Sequence, residues 1–302
     1  MLRSKMRPMS LKTLNMVGAG RVGRTLAALW QLSGVFEIQG VLTRSPGSAR
    51  EAVAFIGAGS AADAMNALPA ADVWLLAVPD GQIAPAAERL AASGALRAGD
   101  MVFHCSGALP SGELDAVRAL GAHIASVHPL KSFADAADAV RTFAGTYCVA
   151  EGDAAALALL GPAFERIGAR MAAIDARFKT VYHAGSVMVC NYLTALMEAG
   201  LQCFEKAGLP RNTATEMMEP LVRETLDNVF RLGTQKALTG PIARGDHAVV
   251  ARQLAALLQA DPRLAAVYQS LGMIALGLAG AQGDKDVPAL RELVDLLRGS
   301  TQ

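Results

Sequence analysis

The sequence has little charge of either sign and few aromatic residues. Charged residues make up 18% and aromatic residues 5% of its 302 residues, and 28 basic side chains nearly balance 27 acidic ones. A net charge of +1 provides no broad basic field for nucleic acid and no acidic tail, so we expect no nucleic-acid partner. Selectivity for an anionic ligand must therefore come from a few placed residues.

Cysteine is also scarce. The four cysteines lie far apart and match no metal-ligand spacing, so the sequence predicts no metal site and reduced, mostly buried thiols in a cytoplasmic protein. The basic residues 1–10 have no apolar stretch behind them, which favours a frayed tail over a secretory signal.

No long apolar run is free of polar interruption. The least polar long segment, residues 181–201, contains His183, Asn191 and Glu198. This pattern predicts a buried helix and no membrane span.

Apolar residues make up 52% of the chain, which is enough for a large core and two domains. Short apolar runs alternate with alanine-rich helical stretches (residues 22–32, 83–92 and 111–120) in the first half. The runs are typical of buried parallel strands, and the alternation predicts a doubly wound α/β sheet. The predicted strands are residues 13–17, 38–43, 73–78, 101–105 and 124–127, with two more at 145–150 and 171–174.

The second half shows helical periodicity only. One long helix is predicted over residues 176–207, ended by Gly208 and Pro210. Four more helices are predicted at residues 212–232, 247–259, 262–279 and 287–297. The sequence therefore predicts an α/β domain over residues 1–174 and an all-α domain over residues 175–302.

A glycine-rich loop joins the first strand to the first helix. It comprises Gly18, Ala19, Gly20, Arg21, Val22 and Gly23. The three glycines suit a tight turn, a close approach of backbone to a pyrophosphate, and close helix packing, while the helix N-terminus offers N–H groups to phosphates. In this strand–turn–helix context the loop predicts a Rossmann domain that binds a dinucleotide; the alternative is a glycine-rich turn without a ligand.

The end of the second strand distinguishes NADP from NAD. An NAD site usually has an acidic residue about 20 residues past the loop, but Glu37, which has nearly that spacing, precedes the strand. The strand ends instead with Thr43, Arg44 and Ser45. Arg44 can pair with a 2′-phosphate and the two hydroxyls can add hydrogen bonds, so NADP is predicted over NAD. The alternative for Arg44 is a solvated loop residue.

Two further strand ends are expected to line the cofactor crevice, because ligands of open α/β sheets lie beyond the carboxyl ends of the strands. One carries Val78, Pro79 and Asp80, and the other carries Ser106. Asp80 has an alternative role as the N-cap of the next helix.

Four residues are candidates for catalysis. His128 follows a strand end, where it would face nicotinamide or substrate. Lys179 and His183 share one helix face, and Asn191 lies about 12 Å further along the axis. They are expected to donate a proton to a carbonyl oxygen or to bind a substrate carboxylate. The alternative is structural: a core histidine, an exposed lysine and a histidine bonded to backbone.

Several motifs together resemble a known family. They are the glycine loop, Leu-Ala-Val-Pro-Asp (76–80), His-Pro-Leu-Lys-Ser-Phe (128–133), Tyr-His (182–183) with Asn191, and Leu-Thr-Gly-Pro-Ile-Ala-Arg-Gly-Asp (238–246). The chain resembles the Rossmann-like bacterial proteins that carry the domain of unknown function numbered 2520. Their wider class is similar in layout to 6-phosphogluconate dehydrogenase, with ketopantoate reductase and pyrroline-5-carboxylate reductase as relatives by architecture.

The resemblance implies a Rossmann domain, a helical domain of the 6-phosphogluconate dehydrogenase type, a homodimer formed through the helices, and an active site in the cleft between domains. Some dehydrogenases of the class carry lysine and asparagine four residues apart on the interdomain helix; here His183 stands four residues after Lys179.

Two functional hypotheses follow. The leading one is an NADP-dependent oxidoreductase that transfers hydride to or from a carbonyl or imine carbon of a small-molecule substrate. The alternative is a non-catalytic NADP(H) sensor that acts through its helical domain. A redox enzyme using Cys105 is a weaker hypothesis, because no second cysteine lies nearby in the sequence.

Overall fold

The computed structural model describes residues 11–281 and 287–299. The predicted basic tail of residues 1–10 lies outside them. The chain folds into two compact units, with the division between Asn191 and Tyr192. The predicted domains, residues 1–174 and 175–302, differ from these units in assigning the helix that precedes the division to the second part.

One eight-stranded sheet forms the centre of the first unit. Its spatial order is β3-β2-β1-β4-β5-β6-β7-β8. The strands are β1 (Lys12–Val17), β2 (Phe36–Leu42), β3 (Ser60–Ala62), β4 (Val73–Leu76), β5 (Met101–His104), β6 (His123–Pro129), β7 (Tyr147–Gly152) and β8 (Arg170–Ala173).

The predicted α/β fold is confirmed, with two differences in the sheet. Strands β1 to β6 are mutually parallel, whereas β7 pairs antiparallel with β6 and β8 runs parallel to β7. An apolar run indicates a buried strand but carries no information about its direction, so the sequence missed this reversal. It also missed β3, which is three residues long and contains only serine and alanine.

Helices cover both faces of this sheet. They are α1 (Arg21–Leu32), α2 (Pro46–Ile56), α3 (Ile83–Ala92), α4 (Asp115–Arg118), α5 (Ala136–Arg141) and α6 (Ala154–Glu165). Helix α7 (Lys179–Val189) follows β8 along the chain. The local sequence sets the ends of α2: Ser45 accepts a hydrogen bond from the Ser48 N–H, Pro46 opens the helix, and Gly57 ends it in the left-handed conformation.

The second unit contains helices only, among the residues described. They are α8 (Asn191–Lys206, whose first residue belongs to the first unit), α9 (Arg211–Leu232), α10 (Thr234–Ala237), α11 (Gly240–Arg244), α12 (His247–Ala260), α13 (Pro262–Gly280) and α14 (Val287–Arg298). Two small apolar clusters hold them: Leu201 of α8 packs with Ala214 and Met218 of α9, and Val250 of α12 packs with Leu276 of α13.

Two predictions for this stretch, one long helix over residues 176–207 and a buried helix over residues 181–201, differ from the structure. The stretch begins with a 3-10 turn. Its helix is then interrupted at Cys190, between the end of α7 and the start of α8. Its apolar side chains are mostly exposed, including Val181, Val189 and Tyr192. Hydropathy measures how strongly a side chain prefers to leave water, and it does not show that other parts of the same chain bury that side chain.

Two helical stretches, Ala176–Lys206 and Pro262–Gly280, are long and apolar enough to cross a membrane by length and composition alone. Core helices of soluble proteins pass the same test, so the absence of a membrane partner stays a prediction.

Aromatic edges organise the core between the sheet and α1. Trp30 is fully buried and makes edge-to-face contacts with Phe36, Phe103 and Phe164 at centroid distances of 5.3, 6.1 and 5.2 Å. Its indole N–H donates to the Ala163 carbonyl at 3.0 Å. Trp30 therefore links α1, β2, β5 and α6.

Replacing Trp30 should test this link. Trp30→Ala is expected to lower the free energy of unfolding by about 3–5 kcal/mol, because it opens a cavity and leaves the Ala163 carbonyl without its donor. Trp30→Phe keeps much of the apolar volume and should cost less. Urea denaturation measures both; equal, small losses would contradict the central position of Trp30.

Candidate active site

The glycine loop lies where β1 meets the end of β4. Gly18 has φ +84°, and a Cβ there would lie 2.4 Å from the Ala77 carbonyl oxygen. A Cβ on Gly23 would lie 2.6 Å from the Ala77 Cβ. Both positions therefore require glycine. Gly20, by contrast, faces open space at the N-cap of α1 and makes no side-chain cap bond, which leaves the helix N-terminus accessible.

This loop lines a cavity of about 810 Å³ at the carboxyl ends of β1, β2, β4 and β5. All predicted cofactor-binding residues except Ser45 line it: Gly18, Ala19, Gly20, Arg21, Val22, Gly23, Thr43, Arg44, Val78, Pro79, Asp80 and Ser106. Ser45 instead caps α2. Asp80 opens a 3-10 turn before α3, whose N-cap is Gln82, so the capping alternative for Asp80 is wrong.

The charge of the cavity wall favours an anion. Four arginines line it (Arg21, Arg24, Arg44 and Arg89), against Asp63 and Asp80. The pattern at the end of β2 gave no indication of Arg89, which stands in the last turn of α3 and reaches the cavity only through the packing of that helix. The arrangement offers charge-assisted hydrogen bonds to phosphate groups.

Cys105 also lines the cavity, but burial raises the pKa of its thiol. A thiol held in its protonated form is a poor nucleophile. The geometry therefore gives no support to the hypothesis of a cysteine-based redox enzyme.

Two histidines and a tyrosine meet just past Ser106. His128 Nδ1 lies 2.9 Å from the hydroxyl oxygen of Tyr182, and the ring centroids of His128 and His183 are 5.6 Å apart. A Cβ on Gly107 would lie 2.4 Å from His183 Nδ1 and 2.9 Å from His128 Nε2. Glycine at 107 is thus what leaves room for both rings. We call His128, Tyr182 and His183 the histidine cluster.

Burial sets the protonation of two members of the histidine cluster, His128 and Tyr182. Burial, helped by His183 and Lys179, lowers the pKa of His128 to about 4, so its ring is neutral at pH 7. Burial also raises the pKa of Tyr182, so the phenol keeps its proton. His183 Nδ1 is buried and has no hydrogen-bond partner among the residues that the structure describes.

Lys179 is buried and does not line the cavity. It is 1% exposed, donates to Ser126 Oγ and lies 3.7 Å from a carboxylate oxygen of Glu151. Burial lowers its pKa despite the attraction of Glu151. Asn191 lies at the start of α8 and is exposed. Of the four predicted catalytic residues, the structure brings His128 and His183 together and places Lys179 behind them.

The family models agree with this architecture. Residues 2–129 match the Rossmann-like domain, and residues 146–274 match the domain of unknown function DUF2520. The resemblance predicted from the motifs is therefore confirmed. Comparison with curated protein sequences finds no significant match.

Solved structures show the same fold. A protein from Thermotoga maritima is 25% identical, with a TM-score of 0.71 over 89% of this chain and 99% of that one. An imine reductase from Myxococcus stipitatus in complex with NADP+ is 16% identical, with a TM-score of 0.64 over 93% and 99%. A pyrroline carboxylate reductase from Plasmodium falciparum with NADP bound is 13% identical, with a TM-score of 0.55 over 94% and 98%.

Sequence reasoning missed several residues of this site. Tyr182 adjoins a predicted candidate, and a hydroxyl beside His183 was an available signal. Glu151 follows the apolar stretch of β7 and is buried. An acidic residue next to a buried strand is uncommon, and this position was therefore an available signal. Gly107 gave no signal, because its importance comes only from the two rings that pack over it.

His104 provides a test of this buried polar region. Its Nε2 lies 3.1 Å from the Pro110 carbonyl oxygen and its Nδ1 accepts from the Ser106 N–H, so the ring is the neutral Nε2–H tautomer. Burial lowers its pKa to about 4. The unfolded chain binds this proton near pH 6.5, so the associated stability is present above pH 6.5 and is lost as the pH falls towards 4.

His104→Asn should therefore reduce the acid sensitivity of the protein. Between pH 7 and pH 4 we expect its unfolding free energy to fall by about 3 kcal/mol less than that of the wild type. Urea denaturation at the two pH values measures this, with His123→Asn as the control. Parallel losses in wild type and variant would show that His104 does not contribute to the pH dependence.

Proposed function

We propose that the protein is an NADP(H)-dependent oxidoreductase acting on a carbonyl or imine carbon of a small metabolite. The observation that carries the proposal is that one cavity runs from the glycine loop and Arg44 to Ser106, and that the next residue, Gly107, lies against His128 and His183 of the histidine cluster. The structural neighbours that hold NADP+ or NADP, an imine reductase and a pyrroline carboxylate reductase, support the same reaction class.

The cofactor fits residues already in place. The open space at Gly20 and the accessible N-terminus of α1 suit a pyrophosphate, and Arg44 suits a 2′-phosphate. Ser106 and the Val78–Pro79 turn would lie along the nicotinamide half, since the strand order places β4 and β5 beyond β1 from β2. When bound, NADPH supplies a hydride to an electrophilic carbon.

The histidine cluster is suited to move a proton. In the reduction direction the Tyr182 hydroxyl gives its proton to the oxygen or nitrogen attached to the reacting carbon. Nδ1–H of His128, 2.9 Å away, replaces that proton, and Nε2 of His128 takes one from water. His183, with an unpartnered Nδ1, orients the substrate.

We further propose a cytoplasmic homodimer formed through the helical unit. Helix α9 exposes Met217, Leu221 and Phe230, and α8 exposes Tyr192 and Leu196. Exposed large apolar side chains of this kind favour burial against a second copy. Cys105, Cys148 and Cys203 form no disulfide with any residue that the structure describes, which suits a reducing compartment.

The first test is cofactor selectivity. Arg44→Ala is expected to weaken NADPH binding about tenfold or more, because it removes a charge-assisted pair to the 2′-phosphate, and to leave NADH binding within about twofold. Fluorescence titration measures both. Arg50→Ala, an exposed arginine of α2 that does not line the cavity, is the matched control. Failure of the wild type to bind either nucleotide at millimolar concentration would refute the proposed cofactor site.

The second test is turnover. Once a screen of carbonyl and imine compounds finds NADPH oxidation, Tyr182→Phe should lower kcat about 100-fold while NADPH affinity is retained, because only the proton donor is lost. Tyr147→Phe, an exposed tyrosine on β7, is the control. Unchanged kcat in Tyr182→Phe would remove Tyr182 from the proton transfer. Tight NADPH binding with no turnover of any compound would favour the sensor alternative.

A further inference from the structure

A buried charge pair behind the histidine cluster takes no part in the proposed proton transfer. Lys179 and Glu151 are 1% and 5% exposed, and their charged atoms lie 3.7 Å apart. An ion pair withdrawn from water in this way costs desolvation energy and is weak evidence for stability. Its place in the structure indicates a different role.

Glu151 holds the loop after β5, residues 105–110, at its far end. One carboxylate oxygen accepts the Ser111 N–H and the other accepts the Ser111 hydroxyl, both at 2.7 Å. The same loop carries Ser106 and Gly107. At its near end, His104 accepts the Ser106 N–H and donates to the Pro110 carbonyl. The loop beneath the histidine cluster is thus fixed at both ends.

Lys179 holds the other half of the cluster. It is the first residue of α7, and Tyr182 and His183 follow it by three and four residues, on the same helix face. Its ammonium donates to Ser126 Oγ on β6, the strand that also carries His128. A single buried ammonium therefore fixes the depth and rotation of α7 against β6 and the loop.

We propose that Glu151 and Lys179 are positioning residues: their charge pair sets the loop with Gly107 and the helix with Tyr182 and His183 in register with each other. The role of this relative position of loop and helix in catalysis rests on the proposed function. The relative position itself does not depend on that proposal. Lys179 acts through Tyr182 and His183 and donates no proton to substrate.

Chemical modification of histidine tests the register without substrate or cofactor. Diethyl pyrocarbonate acylates accessible neutral imidazole, and mass spectrometry gives the rate at each histidine, with His123 as internal reference. We expect His128 and His183 to react about tenfold faster in Lys179→Met and in Glu151→Gln than in wild type, because α7 and the loop separate locally. Lys12→Met removes a lysine–aspartate pair that is largely exposed and should change neither rate.

The double variant Lys179→Met/Glu151→Gln separates positioning from stability. Each single variant leaves a buried group without its partner and should lower Tm, whereas the double variant leaves no unpaired charge and should recover most of the loss. The histidines of the double variant should nevertheless stay reactive. Recovery of their protection together with Tm would overturn the proposal, because the pair would then be only structural.

Nucleotide titration of the same variants keeps the two proposals distinguishable. Glu151 and Lys179 do not line the cavity, so NADPH affinity should stay within about twofold of wild type. If neither the wild type nor any variant binds NADPH, the proposed function fails. The modification rates of the histidines still show whether Glu151 and Lys179 position the loop and α7. Unchanged histidine rates in both single variants would overturn the register alone.

Discussion

The close approach of the glycine loop to the end of β4 is the contact on which the site depends. Gly18 and Gly23 leave no room for a Cβ because Ala77 lies against them. This contact lets the Gly18 N–H bond to β2 and the Ala77 N–H bond to β1, at 2.7 Å each. The loops of three neighbouring strands then end together, and the cavity with its four arginines opens among them. A side chain at either glycine would separate these strand ends and the groups they carry.

A second constraint is polar and lies beside the histidine cluster. Ser126, His104, Glu151 and Lys179 are almost fully buried, and each has a partner in the same region. Fully satisfied buried networks are rigid, because any displacement leaves a polar group unpaired in a low dielectric. The phenol of Tyr182 and the imidazoles of His128 and His183 therefore lie next to a rigid part of the protein.

The sequence predicted the glycine loop, seven of the eight strands and most long helices, because these features depend on local patterns of glycine and apolar residues. The likeness to DUF2520 proteins likewise came from contiguous motifs. The direction of β7 and β8, the short β3 and the interruption of the long helix at Cys190 were not predictable in this way. Strand direction and helix breaks depend on what each segment packs against, which no local pattern records.

The candidate site divides along the same line. The sequence by itself determined the cofactor loop, the arginine after β2, and the presence of His128 and His183, since each follows from its place after a strand or on a helix. Only the tertiary structure decided that Lys179 is buried against Glu151, that Tyr182 joins His128, and that Gly107 makes room for both rings. The physical reason is that these contacts join residues up to 76 positions apart, and burial, which sets their protonation, exists only after the chain has packed around them.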